Sequence, residues 1–244
     1  MKRFNIPVIY DDKKILAVNK PAGIPSIPDR FDSTRISLNK ILESQYGQLW
    51  TLHRLDIDTS GVIIFARDAN THKFLSEQFQ NHSVDKNYHA IVQGSPEWQQ
   101  TVLDYNLLVD GDRFHRTIVH PKGKPSQTIV TLVEQYKTHA LVEARLLTGR
   151  THQIRVHLAE AGYPVCVDPI YGSDTAIYLS KIKTGYKGDI YEERPLIERT
   201  ALHALQVGFV HPDSNSKIII NAPYPKDFKA VVYQLRKISG VRNG

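Results

Sequence analysis

The chain has 244 residues, of which 41% are hydrophobic and 23% are charged, a balance typical of a globular protein with a sizeable core. No apolar run approaches the roughly 18 residues of a membrane span, and the basic start at residues 1–7 lacks the apolar region of a signal peptide, so we expect a soluble cytoplasmic protein. The net charge of +6 favours anionic partners, while the lone cysteine, Cys166, excludes an internal disulfide and a multi-thiolate zinc site.

The first part of the chain predicts alternating strands and helices. The expected elements are a strand at 14–20, a helix at 37–46, a strand at 62–67, a helix that begins at Asp68, and a half-buried strand at 84–94. Gly47 ends the first helix, and Pro21 with Gly23 forms a turn after the first strand. A short polar turn that contains Asp56 leads into the strand at 62–67.

The second part predicts antiparallel hairpins and a few helices. Residues 101–147 are rich in β-branched and aromatic side chains and contain turn signals near residues 110 and 123, which favours hairpins over βαβ units. The remaining expected elements are a short helix at 151–161, strands at 202–209 and 217–221, and an amphipathic helix after Pro225 that covers the sheet. Residues 173–199 lack periodicity and predict a loop or insertion. Together these elements indicate an α+β fold in one domain, residues 1–244.

Basic side chains concentrate in two irregular segments. One of them spans residues 113–124 and includes Arg116 and Lys122, and the other spans residues 181–187. Such clusters are typical of nucleic-acid-binding surfaces. The alternative, a solvated surface with no ligand, stays open at this point.

Several common active-site motifs are absent. The chain has no Walker loop, no GxGxxG and no GxSxG around Ser60. His152 and His157 are five residues apart, about 140° around a helix, so they cannot face one metal ion together. We therefore expect neither a metal nor a nucleotide cofactor. The remaining candidate is Asp56, although an Asp in such a turn is often only a cap or an ion-pair partner.

Five segments, in order along the chain, resemble the motifs of the RluA-type pseudouridine synthases. Residues 53–61 match HRLD-x-x-TSG, residues 84–94 match a K-x-Y strand, and residues 149–157 match the third motif. Residues 20–23 (KPAG) and 201–204 (ALHA) are similar to the first and the C-terminal motifs. The chain departs from the family at Val167, where the family usually has Gly before Asp-x-x-Tyr-Gly, and in the length of residues 173–199.

The resemblance implies the pseudouridine synthase catalytic fold, a long mixed or mostly antiparallel sheet flanked by helices, here as a stand-alone domain without an N-terminal S4 domain. It implies isomerisation of a specific uridine in structured RNA, ribosomal or transfer RNA, with no cofactor and no obligate protein partner. One alternative is a non-catalytic RNA-binding or RNA-chaperone protein on the same fold. Another is a cofactor-free hydrolase that uses Asp56 on a different glycosidic bond. The lack of a second catalytic carboxylate at an interpretable position argues against this alternative.

The resemblance assigns catalysis to Asp56, Tyr88 and Arg155. Asp56 would act as a nucleophile at C1′ or as a base at C2′, and both routes stay open. Tyr88 would contact the target base, and Arg155 would be the cation that offsets the charge of Asp56; the predicted helix also places Arg155 beside an apolar stripe, where a guanidinium needs an anion. A plain structural salt bridge is the alternative for Arg155. Contacts with RNA are expected from His53, Arg54, Arg150, His152, Gln153, Arg116 and Lys122.

Overall fold

A computed structural model describes residues 6–28 and 34–240. The expectation about the basic start falls mostly on residues 1–5, which lie outside the described residues. The strands are β1 (Val8–Asp11), β2 (Ile15–Lys20), β3 (Trp50–Thr51), β4 (Ser60–Ala66), β5 (Asp85–Gln93), β6 (Gln100–Leu108), β7 (Ile118–Val119), β8 (Lys124–Gln135), β9 (His139–Leu146), β10 (Leu202–Val210) and β11 (Lys217–Asn221). The helices are α1 (Leu38–Tyr46), α2 (Ala69–Gln80), α3 (Gln153–Glu160), α4 (Leu179–Ile182) and α5 (Lys226–Ser239).

The helices and strands predicted from periodicity are confirmed, with ends that differ by at most two residues. Asp68 caps α2 as expected, because its side chain accepts a hydrogen bond from the Thr71 amide at 2.8 Å. The sequence pattern missed β1, β3 and α4, which are only two to four residues long. Elements this short carry too little periodicity to detect. In the described part of the chain no helix is long and apolar enough to cross a membrane.

The chain divides into two compact units. Unit 1 comprises Met1–Tyr88 and His203–Pro223, and unit 2 comprises His89–Leu202 and Tyr224–Gly244. The chain passes from one unit to the other within β5, within β10 and between Pro223 and Tyr224. The expectation of a single domain over residues 1–244 stays a prediction.

Unit 1 is a mixed sheet with two helices, α1 and α2. Its strands follow the order β1-β2-β4-β10, with β3 on β4 and β11 on β10. β10 runs parallel to β4, and the other pairs are antiparallel. Every residue of β4 is buried, as its nearly continuous apolar sequence predicts for a strand covered on both faces. This strand carries the Asp56 turn at its N-terminal end.

The join between β4 and β10 explains the last residues of the Asp56 motif. Ser60 and Gly61 pair with His203 and Ala204. Gly61 has φ 121°, and a Cβ atom there would lie 2.1 Å from the carbonyl oxygen of Ala204, so only glycine fits. The Nε2–H of His203 donates to the carbonyl of Ala222 at 3.0 Å, which leaves Nδ1 to accept from the Ser60 hydroxyl at 2.9 Å. Ser60 is thus a buried structural hydroxyl.

Unit 2 is a sheet in which β6, β7, β8 and β9 pair antiparallel, with helices packed on it. Its strand order is β5-β9-β8-β6-β7, so the hairpins predicted for residues 101–147 are present. α3 packs against β6, β7 and β8. α5 buries the apolar face formed by Phe228, Val231, Val232 and Leu235, and its Arg236 forms an ion pair with Glu134 of β8.

The two departures from the family pattern are next to each other in unit 2. Val167 has φ 56°, in the left-handed region that glycine adopts without strain and a β-branched residue rarely adopts. Residues 173–199 contain α4 and an isolated bridge between Ile177 and Ile197, and the remaining residues have no helix or strand. The backbone strain at Val167 therefore lies at the entrance to this segment.

The close approach at Gly61 leads to a stability prediction. Gly61→Ala should lower the free energy of unfolding by about 3 kcal/mol, because the added methyl group meets the Ala204 carbonyl and the backbone is strained. Gly162→Ala is the matched control, since Gly162 also has a positive φ, +84°, but nothing lies within 4 Å of the added Cβ. It should cost about 1 kcal/mol. Urea unfolding measures both, and equal losses would contradict the proposed clash.

Candidate active site

Asp56 lies in the turn between β3 and β4, and hydrogen bonds hold the backbone of the residues on both sides of it. The Leu55 N–H donates to the Ser26 hydroxyl at 3.0 Å, and that hydroxyl donates to the Leu55 carbonyl at 2.8 Å. The Ile57 carbonyl accepts from the Gly23 amide at 2.8 Å. The Thr59 amide closes the turn on the Asp56 carbonyl at 3.1 Å. The backbone at Asp56 is therefore held in one position.

Lys20 is the charged residue that secures this turn. Its side chain is completely buried, and its ammonium donates to the carbonyls of Pro21 at 3.1 Å, Ile24 at 2.8 Å and Ile57 at 3.0 Å. A buried ammonium needs such acceptors, and three carbonyls match its three N–H groups. The sequence analysis recognised the KPAG motif at residues 20–23 but assigned no role to Lys20, and it did not single out Ser26.

Tyr88 is an electrostatic neighbour of Asp56 within unit 1. Its ring is half-buried on β5 and packs against the core of this unit. Burial raises the pKa of Tyr88 well above its usual value, and the negative charge of Asp56 raises it further. The hydroxyl is therefore protonated at neutral pH.

His53 is a neutral ring held inside unit 1. It stacks on Phe79 with ring centroids 5.1 Å apart, and its Nε2 accepts from the Ile64 amide at 3.2 Å. Burial, and secondly the charge of Lys86, lowers the pKa of His53 to about 3. Lys86 is itself buried, which lowers its pKa as well. These contacts give His53 a structural role, whereas its neighbour Arg54 is exposed; their predicted contacts with RNA stay predictions.

Arg155 has a carboxylate partner within unit 2, as its expected burial required. Its guanidinium, 5% exposed, binds Asp168 through Nε at 2.6 Å and Nη2 at 2.7 Å, and lies over the Tyr171 ring at 5.1 Å. Burial alone would raise the pKa of Asp168, but the hydrogen bonds and charge of Arg155 hold it below its usual value. Asp168 belongs to a segment that the sequence pattern singled out, but its role was missed. The role of Arg155 beside Asp56 stays a prediction.

The side chain of Gln153 fixes the turn before α3. Its oxygen accepts from the Thr148 hydroxyl at 2.8 Å and the Arg150 amide at 3.0 Å. Its nitrogen donates to the Gln127 carbonyl at 2.9 Å and the Thr128 hydroxyl at 3.0 Å. All four hydrogen-bonding positions of the amide are thus used inside the protein. This geometry favours a structural role over the predicted contact with substrate.

His152 and the β6–β7 hairpin meet at the hydroxyl of Tyr171. His152, the N-cap of α3 with φ 55°, lies 2.9 Å from this hydroxyl through Nδ1. The Thr117 amide, at the base of the hairpin, donates to the same hydroxyl at 3.1 Å. The hairpin carries Arg116, whose guanidinium pairs with Asp112. The exposed Lys122 follows β7, and Arg150 is half-buried.

Among residues 6–28 and 34–240, no group of three or more His, Cys, Asp or Glu side chains is placed to hold a metal ion. Of the predicted site residues, Asp56, Tyr88, His53 and Arg54 belong to unit 1, and Arg155, His152, Gln153, Arg150, Arg116 and Lys122 belong to unit 2. What unit 1 offers chemically is a carboxylate on a fixed turn and a protonated phenol whose pKa is raised by burial and by the charge of that carboxylate.

Comparison with known proteins identifies relatives of the chain. A family model described as RNA pseudouridylate synthase matches residues 14–160. The chain is 33% identical over 241 residues to "Ribosomal large subunit pseudouridine synthase D" of Neisseria meningitidis serogroup B, and the match covers 97% of this chain but only 63% of that relative. It is 34% identical over 215 residues to "Dual-specificity RNA pseudouridine synthase RluA" of Vibrio vulnificus, covering 85% of this chain and 79% of the relative.

A solved structure shows the same fold. The structure titled "Human RNA Pseudouridylate Synthase Domain Containing 4" superposes with a TM-score of 0.72 at 21% identity, over 94% of this chain and 93% of that one. This likeness and the mixed strand pairing confirm the predicted α+β fold with a mixed, mostly antiparallel strand arrangement.

The neutral ring of His53 leads to a prediction about pH. Its pKa in the folded protein, about 3, lies below the 6.5 of an ordinary histidine, so the unfolded chain binds a proton that the folded chain cannot. The stability from neutral His53 is therefore complete above pH 6.5 and is lost as the pH falls towards 3. His53→Gln, which keeps an acceptor for the Ile64 amide, should reduce the slope of unfolding free energy against pH by up to about 1.4 kcal/mol per pH unit.

Urea unfolding at several pH values between these limits measures the slope. His82→Asn, which removes an exposed imidazole, is the control. Equal slopes for wild type and His53→Gln would show that His53 takes up its proton in the folded state.

Proposed function

This chain belongs to the RNA pseudouridylate synthase family, and on that premise we propose that it isomerises a uridine of structured RNA to pseudouridine, with Asp56 as the catalytic carboxylate. The observation that carries the proposal is that Asp56 stands on a turn held from both sides, in the same unit as Tyr88, whose hydroxyl is kept protonated by burial and by the negative charge of Asp56, which raise its pKa. The chain spans less than two thirds of the length of the Neisseria relative.

The substrate we propose is ribosomal or transfer RNA. The name of the Neisseria relative refers to the large ribosomal subunit, and that of the Vibrio relative refers to dual specificity. The net charge of +6 and the basic hairpin support an RNA partner. A cytoplasmic location is compatible with the single free cysteine, Cys166, which is buried.

The reaction conserves every atom of the nucleotide. The bond from C1′ to N1 breaks, the uracil turns, and C1′ joins C5; the proton leaves C5 and N1 gains one, so no electron is transferred to another molecule. Asp56 attacks C1′ as a nucleophile or removes a proton at C2′ as a base. Both routes require an ionised carboxylate at a fixed position. The contacts at Leu55 and Ile57 supply that position before substrate binds.

We assign Tyr88 two contributions in this reaction. Its half-buried ring can stack on the uracil, and its hydroxyl can relay the C5 proton. Since burial and the charge of Asp56 raise the pKa of Tyr88, a free tyrosinate is costly. The hydroxyl would therefore receive the C5 proton only while passing its own proton to Asp56.

Asp56→Asn tests the central assignment. Asparagine keeps the size of the side chain but removes the charge, so conversion should be abolished while folding and RNA affinity remain. The assay is release of tritium from C5 of labelled uridine in RNA from cells that lack the gene. Asp58→Asn, two residues along the same turn, should retain activity. Conversion by Asp56→Asn near the wild-type rate would refute the assignment.

Tyr88→Phe separates stacking from proton transfer. The ring remains, so RNA affinity should change little, whereas loss of the relay should slow conversion by about 100-fold or more. Single-turnover tritium release with enzyme in excess measures the chemical step. Wild-type rates in this variant would exclude the hydroxyl and leave only stacking.

A further inference from the structure

We propose that Phe114, at the tip of the β6–β7 hairpin, is a stacking platform for an RNA base outside the target uridine; this inference rests on the proposed function. Phe114 is 61% exposed, although an aromatic side chain gains by burial. The guanidinium of Arg113 lies 4.7 Å from the ring centroid, and that of Arg116 lies 5.3 Å from it. The hairpin thus presents an exposed aromatic ring with two guanidinium groups close to it.

The backbone around Phe114 is ordered by a single carboxylate. Asp112 accepts from the Phe114 amide at 3.0 Å, from the Arg116 amide at 3.0 Å and from Arg116 Nε at 2.7 Å. The His115 amide also donates to the Asp112 carbonyl at 2.9 Å. The tip is therefore a defined turn, and the ring is presented to solvent by an ordered backbone. Ordering before binding reduces the entropy that RNA binding would otherwise cost.

The base of the hairpin is fixed as well. Thr117 is buried, and its amide donates to the hydroxyl of Tyr171, whose ring lies under the guanidinium of Arg155. The same hydroxyl lies 2.9 Å from His152, the N-cap of α3. The hairpin, the start of α3 and Arg155 therefore share one anchor within unit 2. A base stacked on Phe114 would be held in a constant position relative to that helix.

The charge around the ring identifies the chemistry of the partner. Two acidic groups, Asp110 and Asp112, occur in the tip, and they pair with His115 and Arg116. The other titratable side chains of the segment are basic: Arg113, His120, Lys122 and Lys124. An exposed aromatic ring with two guanidinium groups close to it, in a segment rich in cations, matches single-stranded nucleic acid, where bases stack on rings and phosphates bind cations. A protein partner would instead favour a surface depleted in lysine.

Phe114→Ala tests the platform without affecting the core. The probe is a fluorescein-labelled oligoadenylate of about 12 nucleotides, because adenine stacks well and stacking tolerates any sequence. Fluorescence anisotropy should show affinity reduced by about 5- to 150-fold, with an unchanged dependence on salt, because the cations that bind phosphate are all retained. Phe114→Trp should retain or increase affinity. Val109→Ala, an exposed apolar residue 49% accessible in the same hairpin, is the matched control.

A double variant that removes two cations separates stacking from charge. Combining Arg116→Ala and Lys122→Ala should lower the slope of log affinity against log salt by about 0.7 for each phosphate that the hairpin no longer binds. Phe114→Ala should not change that slope. Thermal unfolding checks that each variant is folded.

Two results would overturn the platform: Phe114→Ala binding as tightly as Val109→Ala, or no measurable binding of the oligonucleotide by the wild type. Neither result concerns the chemistry, because tritium release from C5 at saturating RNA reports on Asp56 independently. Loss of conversion in Asp56→Asn together with unchanged binding in Phe114→Ala would therefore leave the proposed function intact and reject the platform alone.

Discussion

The candidate active site depends on the hydrogen bonds of one buried ammonium group, that of Lys20. It donates to the carbonyls of Pro21, Ile24 and Ile57, and the last of these belongs to the residue after Asp56. A buried ammonium has no water to bind, so losing any of these carbonyl acceptors would cost free energy. The Ser26 hydroxyl holds the residue before Asp56 in the same way. The backbone that carries Asp56 is therefore held by Lys20 and Ser26, which come from another part of the chain.

A second buried charge organises unit 2 by the same rule. Arg155 and Asp168 satisfy each other through two parallel hydrogen bonds, and Asp168 also accepts from the amides of Ile170 and Tyr171. This holds Tyr171 where its hydroxyl reaches both Thr117 and His152. One ion pair therefore sets the positions of the α3 N-terminus and the β6–β7 hairpin. Replacing only one member of such a pair leaves the other charge buried without its partner.

Burial also decides which groups carry charge. His53 and Tyr88 are both kept neutral, the first because a buried imidazolium is costly and the second because a buried tyrosinate is costly, the more so with the negative charge of Asp56 acting on it. The contacts of His53 and Gln153 are made inside the protein, which explains why residues of a functional motif need not touch substrate. In this chain much of each motif supports the backbone that carries the few reactive groups. Arg54, in contrast, is an exposed member of the motif that contains Asp56.

The sequence alone determined the α+β class, the longer helices and strands, and the candidates Asp56, Tyr88 and Arg155. Periodicity is a local property, and motif residues occur in a fixed order along the chain, so both can be recognised without coordinates. Only the tertiary structure decided that β1 and β3 exist, that Asp168 is a partner of Arg155, that Lys20 holds the Asp56 turn, and that Gly61 must lack a side chain. Each of these depends on atoms brought together from separate positions in the chain, such as Gly61 and Ala204. A linear pattern carries no information about such distances.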